Sequence, residues 1–166
     1  MANGANGLPA VFKTQLDDTW STAKDGEPVG TIRKDGNKTY MVIQYDDSAV
    51  AAAANKAVYY TSGEMENYKA SSDVSDSYGS SGAKAVAAGV LQAAIADQSY
   101  GWIQVGGIAT ITTDAAAGAA GDAVTGVGAN DGGLDVSAAV TDAVSGILLD
   151  TTTTAQVYYL DCPFNH

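Results

Sequence analysis

One stretch, Gln98-Ser-Tyr-Gly-Trp-Ile-Gln-Val-Gly-Gly-Ile-Ala-Thr-Ile-Thr-Thr-Asp114, limits what this chain can become more than any other. In an extended backbone successive side chains point to opposite faces. Ile103, Val105, Gly107, Ala109 and Ile111 then share one face, and Trp102, Gln104, Ile108, Thr110 and Thr112 share the other. The odd face is small and apolar, as a sheet face lying on a core must be. The even face mixes a large aromatic and an Ile with hydroxyls, which suits a second layer or a partner surface. The stretch predicts the central strand of a β domain.

Composition agrees with that expectation. Hydrophobic residues make up 46% of the 166-residue chain, but Ala and Val dominate and there are only two Phe and two Trp. Charged residues reach 16%, below the roughly 25% usual in globular proteins. Small side chains and turn formers point to a mainly β protein, an antiparallel β-barrel or β-sandwich, long enough to bury one core. Acid dominates: the net charge is −11, with only Glu27, Glu64 and Glu66 as Glu and the rest Asp. Asp bonds nearby backbone and favours turns. Such charge repels phosphate backbones and anionic lipid, so neither direct nucleic-acid binding nor membrane association is expected. No run is long enough for a membrane span, and Met1-Ala-Asn-Gly lacks the basic and apolar parts of a signal peptide. A soluble protein made in the cytoplasm is expected.

The chain divides into an N-terminal arm, residues 1–27, and a β domain, residues 28–166, interrupted by a long loop at 62–84. The arm carries Phe12, Leu16 and Trp20, apolar anchors that pack on their own domain or reach a neighbour. Asp35-Gly36 between Val29–Arg33 and Thr39–Tyr45 predicts a hairpin. A calcium loop starting at Asp35 is excluded, since Tyr40 stands where Gly is needed and Asp46 where Glu is needed. Ser48–Ala54, after Asp46-Asp47, predicts one short helix leading into a strand at Ala57–Thr61. Ala85–Ile95 fits a helix or a strand. Val144–Leu149 and Ala155–Leu160 predict an antiparallel pair. Val58-Tyr59-Tyr60 recurs as Val157-Tyr158-Tyr159, which two matching strands or chance explain equally well.

Catalytic chemistry finds little material. The only His is His166 and the only Cys is Cys162, so a Ser/His/Asp triad, a disulfide framework and a cysteine zinc site are not expected. Gly79–Lys84 lacks phosphate-loop spacing, and Asp131 breaks the dinucleotide pattern in Gly126–Gly133. Carboxylate pairs such as Asp46-Asp47, Asp73 with Asp76, and Asp131 with Asp135 follow from the Asp content. No enzyme, catalytic residue, cofactor or metal is expected.

Several elements in order resemble the small capsid decoration (cement) proteins of tailed bacteriophages and similar virion-surface β domains. These are Val29-Gly30-Thr31 before Asp35-Gly36, then Ala88-Gly89-Val90, then Tyr100-Gly-Trp-Ile-Gln104. Ala120-Gly121-Asp122-Ala123-Val124, Gly146-Ile-Leu-Leu149 and Val157-Tyr158 follow. The resemblance spans about residues 28–160 and favours a strand over a helix at Ala85–Ile95. It implies a non-enzymatic virion structural protein on the outer capsid surface, made in the host cytoplasm. Such a protein binds the major capsid protein of the assembled head, stabilises the shell against internal pressure, and trimerises. A head-fibre or tail component, or a carbohydrate- or cell-surface-binding β module, are the competing expectations. Phe12, Trp20, Tyr68, Tyr78, Tyr100, Trp102 and Ile108 are the candidate subunit or capsid contacts.

Overall fold

The computed structural model describes residues 11–77, 84–112, 118–150 and 156–162. Eleven strands among them form one mixed sheet. In chain order they are β1 (Thr19–Trp20), β2 (Ile32–Asp35), β3 (Lys38–Tyr45), β4 (Ala57–Tyr60), β5 (Lys69–Ser71) and β6 (Ala87–Leu91). The remainder are β7 (Tyr100–Ile111), β8 (Ala123–Thr125), β9 (Asp135–Val136), β10 (Val144–Asp150) and β11 (Gln156–Asp161).

β7 is the central strand of this architecture, as its sequence predicts, pairing with four others. Its first half pairs with β3, Tyr100 opposite Gln44 and Ile103 opposite Met41, and also meets β1 and β6. Its second half pairs with β11, from Gly106 opposite Asp161 to Ile111 opposite Gln156. Following the pairings β3–β5–β4–β6–β7–β3 returns to the start, so five strands close a ring. β7 then leaves the ring and carries β11, β10, β8 and β9 as an outward extension. A ring has no free edge where it closes, which protects a chain this rich in β-prone residues.

One core runs through both parts. Ile103, Val105, Ala109 and Ile111 from the odd face of β7 are buried in it with Met41, Ile43, Tyr59, Leu91, Leu148 and Leu160. Tyr59 is fully buried, and its hydroxyl donates to the carbonyls of Asn130 and Gly133. Burial drives its phenol well above the ordinary range. Cys162, buried completely, has its thiol pushed up to about 12, chiefly by burial and then by Asp161. A thiol so held is an inert packing group.

Several local expectations are corrected. Ser48–Ala54 forms no helix, although the Asp47 carboxylate accepts the N–H groups of Ala49 and Val50 at 2.7 and 3.0 Å, as an N-cap does. An isolated helix that short does not cover its nucleation cost, and an all-Ala face offers little burial in return. The segment 62–84 contains β5 and two 3-10 turns, Met65–Asn67 and Val74–Asp76. The sheet is not wholly antiparallel, because β5 lies parallel to β3. Ala85–Ile95 contains strand β6, and the hairpin turns at Gly36-Asn37 between β2 and β3. The β10–β11 pair is antiparallel as expected.

Candidate interface on the outer sheet face

The arm residues from 11 onward pack on the chain's own barrel. Phe12 meets the Trp102 ring edge-on, with centroids 5.7 Å apart at 82°. Trp20 stacks on Tyr100 at 6.4 Å, and Trp20, Tyr40, Val42 and Trp102 form a second buried cluster with Phe12 and Leu16 against it. Polar bonds fasten the same contact. The Trp102 indole N–H donates to Thr14 Oγ1 at 2.9 Å. Thr14 in turn donates through its hydroxyl and its N–H to Glu27, which also accepts the Lys13 N–H. Arg33 lies over the Phe12 ring at 5.2 Å. Four of the candidate contacts, Phe12, Trp20, Tyr100 and Trp102, thus meet each other within one chain.

Glu27 is buried. Burial pushes its carboxyl up, but the bonds from Thr14 and Lys13 outweigh that and hold it below the ordinary carboxylate value. A folded-state value below the unfolded one contributes stability that is present above the unfolded pKa and lost as pH falls through the folded one. Acidification below about pH 4 is therefore expected to loosen the arm, and Glu27→Gln to cost about 1–2 kcal/mol at neutral pH. Tryptophan fluorescence followed through an acid titration checks this. A Glu27→Gln protein with an unchanged acid transition would remove Glu27 from that role.

Tyr68 is half-buried against the main core. It takes a left-handed φ of 55° and packs so closely on Gly30 that a Cβ there would lie 2.7 Å from its ring. Tyr78 lies outside the described residues. Of the six that are described, Ile108 alone is well exposed, at 45%. It does not stand alone on the surface. Ile108 is opposite Tyr159, Tyr159 is opposite Ile147, and Ile147 is opposite Ala123. Directly paired residues project from the same face, so this row crosses β7, β11, β10 and β8. Tyr159 is 50% exposed and Ile147 44%. Two positions along β11 on either side of Tyr159 come Asp161, opposite Gly106, and Val157, opposite Thr110 and, across a bulge after Leu148, opposite Asp150. An apolar ridge centred on Tyr159 is thereby framed by two exposed carboxylates.

Tyr159, Ile147, Asp150 and Asp161 were not among the residues expected from sequence. The alternation Tyr158, Leu160 inward and Tyr159 outward was readable within β11. Its alignment with Ile108 and Ile147 depends on strand register, which no short-range pattern carries. The repeated Val-Tyr-Tyr illustrates this: Tyr59 and Tyr60 are both buried, whereas Tyr159 faces out.

The carboxylates that the sequence grouped in pairs also converge. Oxygens of Asp47, Asp73 and Asp76 lie within 4.8 Å of one another, beside an open hollow of about 450 Å³ that Asp46 and Asp97 also line. Two of the three have evident local work. Asp47 additionally accepts the Ser71 hydroxyl, and Asp73 accepts the N–H and hydroxyl of Ser75. Asp76 is pushed up by burial and then by Asp73, Asp47 and Asp46. These groups fasten the segments 46–50 and 71–77 to each other. No protein-family model matches the chain, and no curated protein and no solved structure matches it either.

Proposed function

We propose that this protein is a non-enzymatic virion structural protein, a capsid decoration protein that binds the assembled phage head through its surface and stabilises the shell. The observation that supports this reading best is the exposed ridge Ile108–Tyr159–Ile147 across three hydrogen-bonded strands. Protein-docking surfaces place aromatic and aliphatic anchors at their centre and polar groups around them. The resemblance of the order of sequence elements to that of decoration proteins supports the partner, the major capsid protein, and a trimeric arrangement on the outer capsid surface. A fibre or tail role would use the same surface on a different virion part.

The test is direct. Purified protein mixed with assembled empty heads, formed from the shell protein encoded with it, is expected to co-sediment and to saturate at a fixed ratio to shell subunits. Decorated heads are expected to withstand heating that opens bare ones. Absence of co-sedimentation would end the reading. A sugar-binding module has one observation behind it, an open groove of about 210 Å³ lined by Tyr159, Asn37 and Asp161. Ligand pockets usually exceed about 300 Å³, which leaves room there for little more than one sugar ring. Binding to a glycan array with indifference to heads would favour it.

A further inference from the structure

We infer that the ridge on β7, β11 and β10 docks a protein surface in which an apolar hollow is flanked by Arg or Lys side chains, and not a second copy of this chain. The inference rests on the decoration reading for the identity of the partner, and names the face used and the chemistry it meets.

The argument is one of shape and charge. Tyr159 sits at the middle of the row, with Ile108 directly opposite on one neighbouring strand and Ile147 on the other. Asp161 and, across the β10 bulge, Asp150 are exposed on the two flanks, level with β11 positions about 7 Å along the strand direction from the ridge, by the rise of about 3.4 Å per residue. Lys34 lines the groove beside Asp161 and is the one cation there. A second copy fits this pattern poorly. A two-fold contact centred on Tyr159 with its axis along the row lays the Asp161 flank of one copy over the Asp150 flank of the other, and an axis along the strands lays like flank over like flank, carboxylate against carboxylate in either case. The whole chain, at −11, adds repulsion between copies. A hollow with basic flanks suits both features at once: it desolvates the tyrosine and the two isoleucines, and it sets positive charge beside two exposed negative side chains.

The two parts of the contact have separate signatures. Central anchors govern dissociation, while rim charges govern the association rate and its salt dependence. Binding of full-length protein to assembled heads is measured for wild type, Tyr159→Ser and the double variant Asp150→Asn, Asp161→Asn. All three substitutions are at exposed positions, and circular dichroism with thermal melting confirms that each variant is folded. Tyr159→Ser is expected to weaken binding at least ~10-fold. The double variant is expected to slow association several-fold at low salt and to flatten the loss of rate with added salt. Wild-type binding with both variants unchanged would overturn the inference and leave the decoration reading standing. Failure of the wild type to bind heads at all would remove both. A solution oligomer dispersed by Tyr159→Ser in sedimentation equilibrium would assign the ridge to a second copy, and would also overturn it.

Discussion

Replacing Trp102 with Ala is expected to cost about 3–5 kcal/mol of folding free energy, the range for deleting a large buried aromatic. The side chain is 1% exposed and lies at the junction of the arm and the barrel. Three kinds of contact go with it. The edge-on packing with Phe12 is lost, as is the hydrogen bond to Thr14. The cavity also leaves Trp20, Tyr40 and Val42 without a neighbour. Domains of this size are stable by about 5–15 kcal/mol, so the variant should remain folded in buffer with a much lower urea midpoint. Trp102→Phe separates the terms. It keeps most of the ring and removes the N–H, and about 1–2 kcal/mol is expected. A loss below about 1 kcal/mol for Trp102→Ala, judged against that range, would mean the arm does not cover this residue in solution. The experiment also separates two roles expected of Trp102. A residue waiting for a neighbouring subunit would contribute little to the isolated chain.

That separation shows how far sequence alone reaches. The alternation in 98–114 correctly placed Ile103, Val105, Ala109 and Ile111 in the core, because period 2 is a local property of extended backbone. Its even face divides instead into two fates. Trp102 is covered by the chain's own arm, while Ile108 is left open. Nothing within the strand decides this; it depends on residues 11–20 folding back and on β11 arriving at the other edge. The missing helix at Ser48–Ala54 has a similar cause. Alanine propensity is a weak prior: the Asp47 carboxylate bonds the N–H groups of Ala49 and Val50 as an N-cap does, but seven small residues with little to bury do not extend that turn into a helix. The ridge itself was half legible, through Ile108. Its other members became neighbours through the register of the β10–β11 pair and the docking of that pair on the distant β7, which alternation within a strand does not set.

Glycine 107 provides the sharper test of how the ring and its extension are joined. Gly107→Ala is expected to cost about 3 kcal/mol or more, from two sources that add. Its φ of 86° lies in the left-handed region, where a Cβ costs about 1–2 kcal/mol. That Cβ would also stand 2.5 Å from the carbonyl oxygen of Asn37 and 3.2 Å from the Cα of Lys38. Both are backbone atoms of the β2–β3 hairpin, so no side chain can swing aside, and the hairpin or β7 itself must move. The register slips here as well: Gln104 is opposite Tyr40, but Gly106 is opposite Thr39, an extra residue that bends a strand. This is where β7 passes from β3 to β11. Gly36→Ala is the control, with φ of 59° and nothing within 4 Å of its added Cβ. It should show the conformational cost alone, about 1–2 kcal/mol. Urea midpoints of the two variants compare strain with strain plus collision. Equal losses would mean that the hairpin yields freely and that the close approach at Gly107 does not hold the ring to its extension. A much larger loss at Gly107 would locate the joint there, at the middle of the stretch that most constrains the chain.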